Sequence, residues 1–349
     1  MQRVSIVGLG LIGSSIGLGL RRWATKSGKR ESTLEVSGFD SSLDVQNYAK
    51  KLGAVDRTDW NLTKTVERAD LIIVATPVSA VREVFEVIAE HGKDGVVVTD
   101  TASTKVAVLE WAREMLPKTV NFVGGHPMAG KAQSTEAAEA DLFKDATWCV
   151  SPLVNASEEA VQTVLGLIAA LGAEPLFLDP HEHDGFVAGI SHLPFMLSVA
   201  LMRSVSADPS WRDVRQLTAS GFRDVSRLAA GSPVMYRDIC QTNRDNIVRW
   251  MDTSISELQH LRDLVATGSD ETLDTLEKEF EQARDARADW ATAERRSGGM
   301  VQDTGNELTS FSMGDQMQQM LFGGLLRRKP RTGLERDKKP APKPRADRT

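Results

Sequence analysis

The chain has little cysteine, and polar residues interrupt its longest apolar stretch. Its 349 residues include two cysteines, Cys149 and Cys240, which lie far apart and outside any C-x-x-C pattern. We therefore expect no structural disulfide and a reducing compartment. The longest apolar stretch, residues 186–205, contains a histidine, a proline and an arginine, which predicts a buried helix and no membrane span. A strand begins directly at the N-terminus, so no signal peptide is expected and the predicted location is cytoplasmic.

Outside the C-terminal end of the chain, negative charge outnumbers positive charge. The formal net charge is −6, but residues 327–349 hold ten Lys and Arg against three Asp and Glu, a local charge of +7. Residues 1–326 therefore carry −13, which argues against a nucleic-acid surface. The basic segment is rich in proline and lysine, and residues 298–349 are predicted to form a flexible tail.

Clusters of metal ligands and internal repeats are also missing from the sequence. His181 and His183 lie two residues apart, close to Asp179 and Asp184. We interpret this group as a solvated corner between domains, because this spacing matches no common metal site. No metal is therefore expected.

The most informative motif is V-S-I-V-G-L-G-L-I-G at residues 4–13, a β-branched run that opens into three glycines. In a dinucleotide-binding fold, Gly8 permits the tight turn, Gly10 lets a pyrophosphate approach the backbone, and Gly13 lets the next helix pack closely. Free N–H groups at the start of that helix hold the phosphates. The alternative is an ordinary glycine turn of an α/β protein. The candidate cofactor-binding residues of this motif are Gly8, Leu9, Gly10, Leu11, Ile12 and Gly13.

A second predicted strand, residues 34–40, ends in Asp40. A carboxylate at this place accepts hydrogen bonds from the adenosine ribose and repels a 2′-phosphate, so NAD is favoured over NADP. Asp40 lies 27 residues beyond Gly13, further than the usual spacing of about 20. A long helix-to-strand loop accounts for the excess, although basic residues in this loop leave contact with a phosphate as an alternative.

Strands and helices alternate in the first half of the chain, and only helices are predicted in the second half. Further strands are predicted at residues 71–76, 96–101, 121–123, 147–150 and 175–178. Helices are predicted at residues 78–90, 104–115, 158–171, 183–206, 210–229, 233–265 and 269–296. This order predicts an α/β fold in which a Rossmann-type, mostly parallel sheet precedes an all-α C-terminal domain. The predicted domains are an NAD-binding domain at 1–179, a helical substrate and dimerisation domain at 180–297, and the tail at 298–349.

Polar residues follow two of the predicted strands where a cofactor crevice is expected. Thr76 and Pro77 end one strand and begin a helix, although proline is also common at a helix start for purely local reasons. Thr101 and Ser103 close the next strand. Ser103 taken alone is interpreted as a helix N-cap.

A histidine lies at the carboxyl end of a third strand, in the sequence G-G-H-P-M-A-G at residues 124–130. Histidine is the side chain best suited to exchange a proton near neutral pH. A lone loop histidine usually has no catalytic role, but His126 is predicted at the crevice beside the hydroxyl-bearing strand end. We therefore favour a functional role for His126.

The helical half contains one group of charges that suits an anionic substrate. Asp224 and Arg227 lie three residues apart, which permits a surface ion pair of a few tenths of a kcal/mol. An arginine fork also binds a carboxylate through two parallel contacts. The residues alone do not separate these two interpretations.

Taken in this order, the motifs resemble the prephenate/arogenate dehydrogenase family, from residue 1 to about residue 297. The motifs are V-G-L-G-L-I-G at 7–13, A-T-P at 75–77, G-H-P-M-A-G at 125–130, I-S-H-L-P at 190–194, G-F-R-D at 221–224 with Arg227, and M-Y-R-D-I at 235–239 followed by Asn243 and Arg244. The glycine motif is generic, whereas the later motifs in this order are specific.

The resemblance implies an NAD-dependent oxidative decarboxylation in tyrosine biosynthesis. A hydride leaves C4 of a cyclohexadienol for NAD⁺, and the C1 carboxylate departs as CO₂ as the ring becomes aromatic. A neutral imidazole on His126 would accept the proton of the C4 hydroxyl. Catalytic efficiency is then expected to rise with pH through one ionisation near the ordinary histidine range.

The resemblance also assigns roles to residues around His126. Ser103 matches the family serine that bonds both this histidine and the substrate. Arg227 matches the arginine that grips the ring carboxylate, with Asp224 as its partner in the empty site. Ser191 and His192 would line the floor of the pocket, although a core histidine is an equal alternative for His192.

Three residues depart from the family pattern at the side-chain end of the pocket. Phe195 stands where many relatives have a second histidine, and Tyr236 where tryptophan is common. Lys131 follows the His-Pro motif at a place where small polar residues are frequent. We take Lys131 as the cation for the side-chain carboxylate, which favours prephenate over arogenate because a cation repels the arogenate ammonium.

The resemblance implies a homodimer formed through the helical half, and the charged helix at 269–296 is compatible with this. Two other function classes remain as alternatives. One is another two-domain NAD enzyme, such as a β-hydroxyacid or imine reductase, which lacks the His-Pro-Met-Ala-Gly motif. The other is a non-enzymatic redox sensor that binds NAD(H) and signals through its basic tail.

Overall fold

A single sheet organises the first half of the chain in the computed structural model, which describes residues 2–26, 34–130 and 135–297, with side chains up to residue 292. The strands are β1 Gln2–Val7, β2 Leu34–Phe39, β3 Arg57–Thr58, β4 Leu71–Val74, β5 Val97–Asp100, β6 Asn121–Pro127, β7 Thr147–Pro152 and β8 Glu174–Phe177. Their order across the sheet is β3-β2-β1-β4-β5-β6-β7-β8. Every described strand pair is parallel except β6 with β7, which is antiparallel.

Helices connect the strands and make up the described part of the chain beyond β8. In the sheet half they are α1 Leu11–Lys26, α2 Leu43–Leu52, α3 Leu62–Val66, α4 Val81–His91, α5 Val106–Met115 and α6 Glu158–Leu171. In the helical half they are α7 Pro180–Val187, α8 Leu193–Ser206, α9 Trp211–Val214, α10 Ser220–Ser226, α11 Pro233–Thr242, α12 Arg244–Thr267 and α13 Asp270–Ser297. The predicted fold class, a Rossmann-type mostly parallel sheet followed by helices, is confirmed. The described residues up to Asp289 form one compact unit.

Alternate side chains of the central strands enter two apolar layers. Leu71 and Ile73 of β4 pack in one cluster with residues of α1 and α6, whereas Ile72 and Val74 pack in a second cluster with α4 and α5. A parallel strand covered by helices on both faces has this apolar pattern throughout its length. The packing fixes the sheet, and its parallel strands end at one edge, where the glycine motif and the candidate polar residues lie.

The helix predicted at residues 183–206 is interrupted in the structure. A π turn, Ala188–His192, separates α7 from α8, and the Leu193 N–H donates to the carbonyl of Ala188, five residues earlier. Pro194 follows and has no N–H of its own, so the regular i to i−4 hydrogen bonding fails locally. The interruption places His192 at the end of the π turn.

Two further long helices predicted in this half are also divided. The segment 210–229 breaks where Thr218 and Ala219 adopt extended backbone. The segment 233–265 breaks at Asn243, whose φ of −131° ends α11 before α12 begins. The sequence pattern did not reveal these breaks, because no glycine or proline marks them.

The apolar stretch predicted as a buried helix is only partly buried in the single chain. The segment Pro180–Ser206 is long and apolar enough to span a membrane by length and composition, but 28% of its apolar window is buried. Phe186 and Ile190 are 55% and 71% exposed. The prediction of a buried helix was therefore wrong for one side of this segment. The other side carries buried polar residues that bond to the sheet half.

Candidate active site

The glycine motif forms the turn between β1 and α1, as the sequence predicts. Gly8 has a φ of +93°, and a Cβ built on it would lie 2.5 Å from the carbonyl oxygen of Ala75. A Cβ on Gly13 would lie 1.9 Å from the carbonyl oxygen of Gly8, so the helix packs directly on the turn. A Cβ on Gly10 would meet no atom within 4 Å, which leaves open space above the backbone. This arrangement fits a dinucleotide whose pyrophosphate lies above Gly10 at the start of α1.

Alanine substitutions at two of these glycines should separate folding from cofactor binding. Gly13→Ala is expected to lower the free energy of unfolding by about 1–3 kcal/mol and to weaken NAD⁺ binding, because backbone must move to admit the Cβ. Gly10→Ala is expected to leave stability unchanged but to weaken NAD⁺ binding, because its Cβ enters the space proposed for the pyrophosphate. Chemical unfolding and calorimetric titration with NAD⁺ measure both effects. Normal NAD⁺ binding by Gly10→Ala would show that the phosphates lie elsewhere.

Asp40 lies directly beyond β2 and contacts the glycine turn. Its carboxylate accepts hydrogen bonds from the N–H of Leu9 at 2.9 Å and from the N–H of Ser42 at 2.9 Å. The side chain is half-buried. Part of the preceding loop, residues 27–33, lies outside the described residues. The carboxylate is thus held beside the proposed dinucleotide site, where its role in ribose binding stays a prediction.

The residues predicted to line the cofactor crevice follow β4 and β5. Thr76 is adjacent to the turn, since a Cβ on Gly8 would lie 2.9 Å from its backbone nitrogen. Its hydroxyl oxygen is buried and has no hydrogen-bond partner among the described residues. Pro77 is exposed, and the Thr101 N–H donates to the Val74 carbonyl at 3.0 Å. A buried hydroxyl without a partner at this edge fits a bound cofactor group.

His126 lies in the last residues of β6, which extends four residues beyond its predicted end. The antiparallel pairing with β7 continues through Pro127 and holds the histidine in a strand and not in a loop. The ring is buried, and its Nδ1 lies 2.9 Å from Nε2 of His183. The prediction that the histidine stands at the carboxyl end of the strand is confirmed.

His183 and Asp184 are buried, so the expected solvated corner was wrong for this pair. Nδ1 of His183 lies 2.8 Å from Oδ1 of Asp184. The carboxylate of Asp184 also accepts the backbone N–H groups of Lys105 at 2.7 Å and Val106 at 3.0 Å. His181, in contrast, is exposed. The sequence pattern missed the pairing because the partners are 57 to 79 residues apart.

A buried ion pair lies beside the histidines and was also missed. Lys105 and Asp100 are completely buried and paired through Nζ and Oδ2. Lys105 also donates to the carbonyl of Gly125 at 2.6 Å, and Asp100 accepts the N–H of Gly125 at 3.0 Å. The pair therefore fixes both polar groups of the residue that precedes His126. The signal in the sequence was a lysine directly before the first, apolar turn of α5.

A second buried carboxylate of the helical half also caps a helix of the sheet half. Asp238 of α11 accepts the N–H of Ser79 at 3.0 Å. Ser79 lies in the 3₁₀ turn Val78–Ala80, which leads from Pro77 into α4. Asp184 and Asp238 thus contact the starts of two helices that follow sheet strands.

Burial keeps His126 and His192 neutral at neutral pH. Burial holds the pKa of His126 well below its usual value, and the nearby His183, Lys105 and His192 lower it further. Burial also lowers the pKa of His192 to about 4, although the Asp184 carboxylate acts in the opposite direction. Since both rings are neutral, His126 is able to accept a proton.

Ser103 and Ser191 lie near these groups in the sequence, and His192 lies near them in space. Ser103 is half-buried and follows Asp100 by three residues, but its hydroxyl makes no hydrogen bond to the described residues. Ser191 is also half-buried. His192 is completely buried, with Nδ1 lying 3.3 Å from the amide nitrogen of Asn243 and with Nε2 lacking a partner in the described part of the chain.

A row of ring contacts leads from His192 toward Arg227. The rings of His192 and Phe195 have centroids 6.0 Å apart, and Phe195 stacks on Tyr236 at 4.0 Å. The Tyr236 hydroxyl donates to the carbonyl of Leu228 at 2.7 Å, which ties α11 to the turn that begins at Arg227. The positive charge of Arg227 is close enough to act on the pKa of Tyr236.

The expected ion pair between Asp224 and Arg227 is not formed. Both residues are exposed, and no oxygen–nitrogen distance between them is within 4.0 Å. Asp224 belongs to α10, whereas Arg227 begins a 3₁₀ turn, so the regular helical spacing does not continue between them. Arg227 therefore has no carboxylate partner among the described residues. Lys131 lies outside them.

Comparison with known proteins identifies the family. Residues 24–176 match the family model of the prephenate dehydrogenase nucleotide-binding domain, and residues 179–282 match that of the prephenate dehydrogenase dimerization domain. The prephenate dehydrogenase of Bacillus subtilis is 34% identical over 287 residues, which are 81% of this chain and 75% of that enzyme. The cyclohexadienyl dehydrogenase of Zymomonas mobilis is 30% identical over 81% of this chain and 95% of its own length.

Two solved structures share the fold over most of the chain. The prephenate dehydrogenase of A. aeolicus in complex with hydroxyphenyl propionate and NAD⁺ is 25% identical, covers 83% of this chain and 98% of its own, and superimposes with a TM-score of 0.74. The arogenate dehydrogenase of Synechocystis is 27% identical, covers 83% of this chain and all of its own, and has a TM-score of 0.66. The chain therefore belongs to the prephenate dehydrogenase family of NAD-dependent oxidoreductases.

Proposed function

We propose that the protein oxidises and decarboxylates prephenate to 4-hydroxyphenylpyruvate in tyrosine biosynthesis. The observation that carries the proposal is His126, a buried, neutral imidazole at the carboxyl edge of a dinucleotide-binding sheet. The names of the relatives support the substrate. Incubation with prephenate and NAD⁺ tests the proposal, with formation of NADH and 4-hydroxyphenylpyruvate as the expected result. NADH formation from a 3-hydroxy acid but not from prephenate would decide against it.

The proposed chemistry removes a hydride from C4 and a proton from the C4 hydroxyl, which forms a carbonyl at C4. As the bond between C1 and its carboxylate breaks to release CO₂, its electron pair enters the ring and gives an aromatic phenolate, which takes the proton back from His126. NAD⁺, when bound, accepts the hydride. His126 accepts the hydroxyl proton, because a neutral imidazole near the reacting carbon stabilises the positive charge that develops there. Ser103, which is half-buried and follows the end of β5, is proposed to orient both the substrate hydroxyl and the His126 ring.

The dinucleotide is proposed to lie on Gly8, Leu9, Gly10, Leu11, Ile12 and Gly13, with Asp40 at the ribose and Thr76, Pro77 and Thr101 along the crevice. The open space above Gly10 and the buried, unpartnered hydroxyl of Thr76 support this assignment. The position of Asp40 beside the glycine turn supports NAD over NADP.

Arg227 is proposed to bind the ring carboxylate of the substrate. It is exposed and free of any carboxylate among the described residues, and the stacked Phe195 and Tyr236 separate it from His192. A guanidinium binds a carboxylate through two parallel hydrogen bonds. Ser191, His192, Asp224 and Tyr236 are proposed to complete the substrate pocket.

Removal of the Arg227 guanidinium should act mainly on substrate binding. Arg227→Ala is expected to raise KM for prephenate by about ten- to a hundredfold, since a hydrogen bond to a charged group contributes about 1.5–3 kcal/mol. Arg223→Ala removes an exposed arginine from α10, one turn earlier, and serves as the control with unchanged KM. Steady-state kinetics with prephenate as the varied substrate measures both. An unchanged KM in Arg227→Ala would remove Arg227 from the site.

Arogenate is the second candidate substrate, since relatives of this chain include a cyclohexadienyl dehydrogenase and an arogenate dehydrogenase. We favour prephenate because Lys131 is proposed to bind the side-chain carboxylate and to repel the ammonium group of arogenate. A comparison of prephenate and arogenate, each with NAD⁺ and with NADP⁺, decides both preferences.

The domain limits 1–179, 180–297 and 298–349 are also part of the proposal, and the tail lies outside the described residues. We propose that the helical half forms a homodimer, because it matches a dimerization domain and exposes apolar residues. Those on α7, the π turn and α12 are Phe186, Ile190, Val248, Ile255, Leu258 and Val265. A cytoplasmic location, without nucleic-acid or membrane partners, agrees with two free cysteines and an acidic main body.

A further inference from the structure

Three buried side chains form a continuous hydrogen-bonded row that ends at His126. Oδ1 of Asp184 lies 2.8 Å from Nδ1 of His183, and Nε2 of His183 lies 2.9 Å from Nδ1 of His126. All three residues are buried, so water does not replace these bonds. Asp184 and His183 belong to α7 of the helical half, whereas His126 belongs to β6 of the sheet.

The bonds of Asp184 determine the direction of hydrogen bonding along this row. Its two carboxylate oxygens accept the N–H groups of Lys105 and Val106, so it is an acceptor at both oxygens. Nδ1 of His183 must then carry the hydrogen in its bond to Asp184. A neutral imidazole has one donor and one acceptor, so Nε2 of a neutral His183 accepts a hydrogen bond.

We propose that His183 is a positioning residue, which Asp184 orients and which holds His126 with its hydrogen on Nδ1 and its lone pair on Nε2. The inference rests on the proposed function, because the lone pair at Nε2 is the one that would take the hydroxyl proton of the substrate. The nitrogen that faces His183 is thereby excluded as the base. His183 touches neither substrate nor cofactor in this role.

The row also provides a negative charge for the protonated form of His126. The groups that face His126 are His183 on α7, Lys105 before α5 and His192 in the π turn, and each of them disfavours a proton on His126. Asp184 is the anion connected to the ring through His183. The imidazolium formed in the reaction therefore donates its Nδ1–H to His183, which in turn donates to the Asp184 carboxylate. Other enzymes pair a base with an orienting group in the same way.

The tautomer of His126 is observable directly by NMR of ¹⁵N-histidine-labelled protein. The chain has six histidines, so single substitutions can assign each ring. The expected wild-type spectrum shows His126 protonated at Nδ1 and unprotonated at Nε2. In His183→Phe, which keeps a ring but removes the acceptor, the hydrogen is expected to move to Nε2 in all or part of the molecules. The value of kcat should fall by about 10²-fold, the scale of a misplaced general base, with little change in KM.

Two further variants distinguish positioning from a structural role. His183→Gln places an amide oxygen near the original Nε2 position, so it should restore the Nδ1–H tautomer and part of kcat. His181→Gln changes an exposed histidine on the same helix and should match the wild type. Unfolding midpoints of all variants show whether the fold is kept.

Each outcome separates this inference from the proposed function. An Nε2–H tautomer in the wild type, or an unchanged tautomer and kcat in His183→Phe, would overturn the positioning role even if prephenate is oxidised. Equal loss of kcat in His183→Phe and His183→Gln, with equal loss of stability, would also overturn it. A tautomer that depends on His183 in a protein inactive toward prephenate would support the positioning and refute the substrate.

Discussion

Replacing His126 by asparagine is expected to lower kcat/KM for prephenate by about 10²–10⁴-fold, the usual contribution of a general base. Asparagine retains hydrogen-bonding groups near the position of Nδ1 but has no lone pair of comparable basicity at the position of Nε2. Binding of NAD⁺ should be unchanged, because the glycine turn is proposed to hold the pyrophosphate, whereas His126 is proposed to contact the substrate. A variant with wild-type kcat/KM would exclude His126 as the base.

The pH dependence of kcat/KM in the wild type is a second test of the role of His126. Burial lowers the pKa of His126 below 6.5, so the neutral, proton-accepting form is present throughout the neutral range. Catalytic efficiency should therefore be level around pH 7 and should fall as the pH drops through a value below the ordinary histidine range. This places the ionisation lower than the sequence suggested. The acid limb should disappear in His126→Asn, whereas a midpoint at or above 6.5 would contradict the buried environment.

Replacing Lys105 by methionine is expected to lower the free energy of unfolding by about 3–5 kcal/mol. The substitution keeps much of the side-chain volume but leaves Asp100 buried without its cation, and removes the donor to the Gly125 carbonyl. A charge that is desolvated and unpaired in the folded state is costly. Urea unfolding monitored by circular dichroism measures the change.

The matched control is Lys64→Met, at an exposed pair with Glu67 on the surface. An exposed pair three residues apart contributes about 0.5 kcal/mol or less, so this variant should unfold like the wild type. A loss below about 1 kcal/mol in Lys105→Met would mean that Asp100 finds another partner or takes up a proton. Asp100→Asn together with Lys105→Met would then show whether the two effects are coupled.

The local parts of the site could be predicted from the sequence. The turn at Gly8 requires a positive φ and close backbone approach, and a glycine triplet after a β-branched run signals both. The position of His126 followed from the strand that precedes it. These features depend on neighbouring residues, so a pattern in the sequence suffices for them.

The buried polar network could not be predicted in the same way. Asp184 bonds to Lys105 and Val106 across about 80 positions of sequence, and nothing in the spacing of these residues indicates the contact. His183 and Asp184 occur in a polar stretch, which is typical of a solvated corner, whereas their burial results from contacts of α7 with α5 and β6. The missing ion pair of Arg227 has a similar cause, because the change from α-helix to 3₁₀ turn alters the spacing.

The capping carboxylates of the helical half have a consequence for motion. Two-domain enzymes commonly bend at a hinge to admit substrate. Here a wide opening would separate Asp184 and Asp238 from the three backbone N–H groups of Lys105, Val106 and Ser79. Each backbone N–H that lost its acceptor would raise the free energy of the open form by about 1–3 kcal/mol unless water replaced the acceptor. These three hydrogen bonds therefore oppose a wide opening and favour substrate exchange through small displacements of side chains and turns.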